Sequence, residues 1–156
     1  MTAALITAAV LGIGGLGYTT VIGFLAAAPA EISRHVTFAI FFTFITLLAH
    51  SMTMFYLIGK GKAIREAVTD GGLSDELHLA VARARRPVFS VGTLAMALTM
   101  LAAILGGGVD TDVLPVAVHS VPALAALAAN VLAFRAELTA LAVAAGSVAE
   151  VNRLLE

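Results

Sequence analysis

The sequence predicts an all-α integral membrane protein, a four-transmembrane-helix bundle with a cytoplasmic helical hairpin segment and an extended C-terminal helix. Of its 156 residues, 60% are apolar and only 12% are charged, whereas a soluble domain devotes about a quarter of its residues to charged types. The mean hydropathy is +1.01. A chain this short has no interior large enough to hide the surplus apolar surface, so lipid must cover it. We expect one membrane domain over residues 1–156.

Four long apolar runs divide the chain into candidate spans. Each has at least 22 residues with no Asp, Glu, Lys or Arg, and about 20 residues suffice to cross the hydrocarbon core. Helix is the expected form, since an open strand would leave its backbone groups unbonded in lipid. The runs cover residues 3–28, 36–59, 88–109 and 113–134, and the only histidines in them are His50 and His119. With their flanking residues they predict helices over about 3–28, 35–68, 87–106 and 113–155.

The first predicted helix carries a face of small residues. At 100° per residue, one side of the helix is formed by Ala8, Gly12, Gly15, Thr19, Gly23 and Ala26. Such a face lets another helix backbone approach closely. It predicts either simple packing within the bundle or contact with other membrane subunits or a second copy of the chain.

The connection over about 60–86 is predicted to be a helical hairpin on the cytoplasmic side. The second helix continues to about residue 68 and stops at Asp70-Gly71-Gly72. Ser74-Asp75-Glu76 then offers a new helix start before 77–86. Pro87 is expected to begin the third helix, where its missing N–H costs little. We expect that helix to end at Gly106-Gly107-Gly108.

The loops predict the orientation. Six of the nine Lys and Arg residues lie in the segment 60–86, and the loop after the third helix carries Asp110 and Asp112 with no basic residue. By the positive-inside rule, segment 60–86 and both termini are predicted to be cytoplasmic.

The fourth helix is predicted to extend past the membrane to the C-terminus. Its C-terminal part has a repeat with alternating spacings of three and four residues, as at the core positions of a short coiled coil. The positions are Leu138, Leu141, Ala145, Val148, Asn152 and Leu155. This pattern predicts either self-association or an amphipathic tail that lies on the membrane or on segment 60–86.

Polar side chains inside the spans are the candidate site residues, because they are costly in lipid. One face of the second helix carries His35, Thr46, His50, Thr53 and Tyr56, and one face of the fourth carries His119, Asn130 and Glu137. Both helices run in the same direction. We therefore expect His35 and His119 at similar depth near the outer surface, and His50 about 22 Å deeper, near Asn130.

Several interpretations of these faces stay open. In a structural one, His50 bonds to Asn130 or a threonine across the interface. In a second, His35 and His119 are axial ligands of a b-type haem, with Arg34 available to a propionate. A third places a quinone or proton site at His50, Thr46, Thr53, Tyr56 and Asn130. A divalent metal at His35, His119 and nearby carboxylates is a further alternative, although no close-spaced ligand motif is present.

No catalytic motif is found, so an enzyme is the less favoured class. The glycines at 12–17 lie inside an apolar run rather than after a strand, which argues against a dinucleotide loop. The chain has no cysteine, which excludes sites that use a thiolate. Its net charge of −1 argues against nucleic acid as a partner. We expect a small integral membrane subunit, a structural or cofactor-holding partner within a larger membrane assembly. The alternative is an electron-transfer module that binds b-type haem or quinone.

Overall fold

The computed structural model describes residues 1–156 and contains helices only. They are α1 (Thr2–Leu25), α2 (Pro29–Asp70), α3 (Glu76–Asp110) and α4 (Val116–Leu155). Each helix is long and apolar enough to cross a membrane. The prediction of an all-helical protein with four long apolar helices is confirmed.

Helix α2 begins at Pro29, earlier than the predicted start near residue 35. Proline suits the first turn of a helix, because its missing N–H would have no partner there. The Glu31 carboxylate accepts hydrogen bonds from the backbone N–H groups of Ala27 (2.8 Å) and Ala28 (3.0 Å), which caps this end. As a result, His35 lies inside the helix rather than at its first residue.

Helix α3 is longer at both ends than the predicted 87–106. It begins at Glu76 and runs through Pro87 without a break, as long apolar helices allow when the freed carbonyl finds another partner. The glycines at 106–108 remain helical as well. Gly106 lies against the His119 ring and Gly108 against Leu114, so these glycines provide space for neighbouring side chains instead of ending the helix.

The four helices form two hairpins, α1–α2 and α3–α4. Helices α2 and α4 contact each other across the bundle, whereas α1 and α3 have no contact. Helix α1 also touches α4, and α3 touches α2. The second hairpin therefore repeats the arrangement of the first about an approximate two-fold axis that passes between α2 and α4.

The glycine face of α1 packs against α2 of the same chain. A Cβ at Gly12 would lie 2.7 Å from Thr46 Oγ1, and one at Gly15 would fall on the Phe42 ring. The small residues thus allow close contact within the first hairpin. Association of another chain through this face stays a prediction, and it would require α2 to move aside.

Helices α2, α3 and α4 extend past the start of α1 and pack against one another there. At 1.5 Å per residue, α1 is about 36 Å long and α2 about 63 Å. The extensions of α2, α3 and α4 enclose a shared apolar core that includes Ile64, Val68, Val81, Leu141, Ala144 and Val151. Of the predicted coiled-coil seam, Leu141 is buried in this core, while Leu138 and Leu155 are exposed. The C-terminal part of α4 therefore packs on the extensions of α2 and α3.

The close α1–α2 contact predicts opposite effects for two glycines on α1. Gly12→Ala should lower the free energy of unfolding by about 1–3 kcal/mol, because the new methyl group meets Thr46. Gly17→Ala, which meets nothing within 4 Å, should raise it by up to about 1 kcal/mol through helix propensity. Denaturation in mild detergent followed by circular dichroism measures both values. Equal effects of the two substitutions would contradict the packing described above.

Candidate functional site

His35 of α2 and His119 of α4 meet between the two hairpins. Their ring centroids are 6.2 Å apart, and the ring planes lie at 70° to each other. Both residues are near the end of the bundle where α1 leads into α2 and α3 leads into α4. The structure thus places together the two histidines that the sequence predicts to be at similar depth.

Each ring is held by a backbone carbonyl of the preceding helix. His35 Nδ1–H donates to the Thr19 carbonyl oxygen at 2.9 Å, and His119 Nδ1–H donates to the Ala102 carbonyl oxygen at 2.9 Å. A carbonyl can only accept, so Nδ1 carries the proton in both rings. In the neutral imidazole, Nε2 then keeps its lone pair, which is the form that binds a metal.

A glycine of the preceding helix lies beside each ring. A Cβ at Gly23 would be 2.6 Å from His35 Cε1, and a Cβ at Gly106 would be 3.2 Å from His119 Cε1. Any larger residue would therefore displace the imidazole. The same combination of glycine, carbonyl and histidine occurs once in each hairpin.

Two neighbouring cavities lie beside the histidine pair and share part of their lining, and both rings line both of them. One, of about 110 Å³, opens mainly between α1 and α4 and is bordered by Leu16, Thr20, Phe24, Ser120, Ala123 and Leu127. The other, of about 660 Å³, opens mainly between α2 and α3 and is bordered by Ile32, Val36, Ile40, Ala103, Gly107 and Asp110. Space of this size suits a ligand of cofactor dimensions with an apolar body.

The two imidazoles would suit a metal that brings most of its own ligands better than a lone metal ion. Two imidazoles that bind one ion from opposite sides, each at about 2 Å, have ring centroids roughly 6 Å apart. No group of three His, Cys, Asp or Glu side chains comes together in the chain, so a lone ion would find two protein ligands. A haem would bring four ligands of its own, so His35 and His119 would suffice as the protein ligands of its iron.

A second polar cluster lies deeper, around His50. Its Nδ1 is 2.7 Å from Glu137 Oε1, and its Nε2 is 2.7 Å from Asn130 Oδ1. His50, Glu137 and Asn130 are at most 2% exposed. The predicted hydrogen bond between His50 and Asn130 is therefore present, and Glu137 adds a partner of opposite charge.

The position of the protons in this cluster follows from Asn130. Its amide nitrogen donates to Thr99 Oγ1 (2.8 Å) and to the Ala126 carbonyl oxygen (2.7 Å). Its amide oxygen is therefore left to accept from His50 Nε2–H. The contact between His50 Nδ1 and Glu137 Oε1 then holds a single proton that either atom can carry.

The other predicted residues of this group lie near but do not join it. The hydroxyls of Thr46 and Thr53 are buried and donate to carbonyls of their own helix, those of Phe42 and Ala49. The Tyr56 hydroxyl is 3.4 Å from the Thr2 hydroxyl. His50 and Asn130 are thus the only two of the predicted quinone or proton residues that bond to each other.

The sequence predicts Glu137 on the inward face of α4 without naming a partner for it, and it predicts no contact of Gly23 or Gly106 with a histidine ring. Glu137 shares a helix face with His119 and Asn130, so its periodicity already indicated that it points into the bundle. The two glycines carried a weaker signal, because small residues in apolar helices usually indicate helix packing. The comparable spacing of glycine and histidine in the two hairpins would have been the stronger clue.

Comparison with protein-family models, curated proteins and solved structures gives no match.

The His50 cluster predicts strong coupling between His50 and Glu137. Either His50→Leu or Glu137→Leu alone should destabilise the fold by about 1–3 kcal/mol, since each leaves a buried polar group unbonded. The double variant should lose less free energy of unfolding than the two single variants lose together, because no unpaired charge remains. Unfolding in detergent, arranged as a double-mutant cycle, measures this coupling. Glu150→Leu, at an exposed site, is the matched control, and additive losses at His50 and Glu137 would contradict the prediction.

Proposed function

We propose that this chain is a small integral membrane subunit that binds one b-type haem between His35 and His119 and transfers electrons within a larger assembly. The observation that carries the proposal is the geometry of the pair. Two imidazoles lie with their centroids 6.2 Å apart, each with Nδ1 bonded to a carbonyl, and both rings line two neighbouring cavities.

In this proposal each residue has a defined task. His35 and His119 would hold the haem iron through Nε2. The carbonyls of Thr19 and Ala102 fix the ring orientation and make the imidazoles stronger ligands, as hydrogen-bond acceptors around a metal site do. When bound, the haem supplies one-electron redox chemistry. With its iron held by two histidines, the haem would favour electron transfer over chemistry on a bound substrate.

The membrane arrangement is part of the proposal. Four helices of sufficient length support a multi-pass protein. The basic residues of segment 60–86 support a cytoplasmic location for that segment and for both termini. The haem would then lie near the outer surface, since His35 and His119 are at the opposite end of the apolar spans. Lipid and other membrane subunits are the proposed partners, because the chain has little mass outside its helices.

A quinone at His50 has less support than haem at the outer pair. Both ring nitrogens of His50 are already bonded within the chain, to Glu137 and Asn130. A quinone carbonyl would have to displace one of these buried partners. The His35 and His119 rings, in contrast, each keep one nitrogen without a hydrogen bond.

The proposal predicts a visible spectrum that depends on two of the four histidines. Protein purified in mild detergent and supplied with haemin should show a sharp reduced-minus-oxidised band typical of b-type haem. His35→Ala and His119→Ala should each abolish it while the helical content is retained. His78→Ala, outside the apolar spans, is the control and should leave the band unchanged. A flat spectrum for the unaltered protein would reject haem and leave a structural subunit as the function.

The glycines beside the rings predict a graded effect on the same band. Gly23→Ala should weaken haem binding by about 10–100-fold, the range seen when supporting groups around metal ligands are changed. Gly106→Ala should have a smaller effect, because its Cβ would be 3.2 Å from the ring instead of 2.6 Å. Gly14→Ala, with nothing within 4 Å, is the matched control. Titration with haemin measures all three, and an equal loss in the control would argue against the assigned positions.

A further inference from the structure

The fold encloses only two ionisable side chains, and they bond to each other. His50 and Glu137 are 1% and 2% exposed, and every other buried polar residue is a threonine, a serine or an asparagine. An ionisable group inside an apolar bundle is costly and is therefore expected to serve a function. Neither residue touches the proposed haem site, so the pair requires its own explanation.

The pair has the geometry of an acid and a base that share one proton. The distance between His50 Nδ1 and Glu137 Oε1 is 2.7 Å. With the proton on nitrogen the pair is ionic, and with it on oxygen both groups are neutral; the net charge is zero in either form. Adding a second proton or removing the shared one would leave a net charge in a low-dielectric interior. The proton states of the two groups are therefore linked.

At the depth of the pair, no other ionisable side chain lies between the helices. Helix α1 has Tyr18 as its only ionisable side chain, and α3 has none between Pro87 and Val109. On α2, Tyr56 bonds to Thr2, and on α4, Arg135 is exposed. His50 and Glu137 are consequently the only ionisable side chains buried between the helices at this depth.

One carboxylate oxygen of Glu137 lies outside the hydrogen-bond network of the pair. The Oε2 atom makes no hydrogen bond in the chain, yet every fully enclosed side-chain oxygen or nitrogen has a partner. Oε2 is therefore not completely enclosed. One turn further along α4, Leu141 packs in the same core as Leu5, which places Glu137 near the end of the bundle where α1 begins.

We propose that His50 and Glu137 form a proton-binding site inside the bundle, which exchanges protons through Glu137 with the aqueous phase next to the start of α1. On uptake, a proton from water adds to the carboxylate and gives the carboxylic acid while His50 keeps its own proton; on release, the reverse occurs. Asn130 keeps Nε2 of His50 protonated throughout, so exchange is confined to the side facing Glu137. The site is independent of the haem proposal, since it uses none of the same side chains.

The hydrogen bonds also connect this site to the cavity beside His35 and His119. Thr99 accepts from Asn130 and lines the smaller of the two cavities. A change of charge at Glu137 can therefore alter the orientation of the Asn130 and Thr99 side chains, and Thr99 forms part of the wall of this cavity. This gives the site a physical route to influence whatever the cavity binds.

The test uses the full chain in liposomes without haem, so that it stands apart from the spectral test. Infrared spectra recorded across a pH range should show a protonated-carboxyl C=O band that changes with pH and shifts after transfer to D₂O. The band should be absent in Glu137→Gln and present in Glu150→Gln. In the unaltered protein labelled with ¹⁵N-histidine, Nδ1 of His50 should respond to pH over the same range while Nε2 stays protonated.

Two results would overturn the proposal. One is a His50 Nδ1 signal and a carboxyl band that stay constant with pH while exposed carboxylates titrate; the pair would then be a fixed structural bond. The other is a band that persists in Glu137→Gln, which would assign the proton to another group. The ¹⁵N measurement needs no substitution, so it decides the question even if Glu137→Gln fails to fold.

Discussion

The organisation of this protein depends on one constraint: a polar side chain between apolar helices must find its hydrogen-bond partner within the chain. No enclosed side-chain nitrogen or oxygen lacks a partner. Short hydroxyl side chains meet the requirement locally, as Thr46 does by donating to a carbonyl of its own helix. An imidazole must bond to a neighbouring helix instead. His35 therefore reaches α1 and His119 reaches α3, and these bonds fix the free nitrogen of each ring.

The same constraint explains why two similar hairpins carry different sites. Eleven residues after its histidine, the first hairpin has Thr46 and the second has Asn130; eighteen residues after, they have Thr53 and Glu137. The threonines bond within α2, whereas Asn130 and Glu137 reach across the approximate two-fold axis to His50. The histidine pair at one end of the bundle is therefore nearly symmetric, whereas the His50 cluster further along the bundle is not. A symmetric pair suits ligation of a metal from two sides, and an unlike pair suits exchange of a proton.

Small residues make both sites possible without a large chain. Glycine at positions 23 and 106 allows each imidazole to lie against the backbone of the preceding helix. Ala39 and Ala123, each four residues after a histidine, line the smaller cavity with short side chains. Close helix contact stabilises a membrane bundle by dispersion rather than by the hydrophobic effect. The residues that let the helices approach are thus also the residues that leave room beside the histidines.

The sequence by itself determined the four apolar helices and the faces that point inward, because hydropathy and helical periodicity are local properties of the chain. It indicated that His35 and His119 share a depth and that His50 lies near Asn130. The predicted start of α2 and both predicted ends of α3 were wrong. The cap at Glu31 and the proline inside α3 depend on which hydrogen-bond partners the backbone finds in the folded chain. Only the tertiary structure decided that Glu137 bonds to His50 and that Gly23 and Gly106 contact the imidazoles. Periodicity fixes the direction of a side chain about one axis, whereas such contacts depend on the register and crossing of two helices.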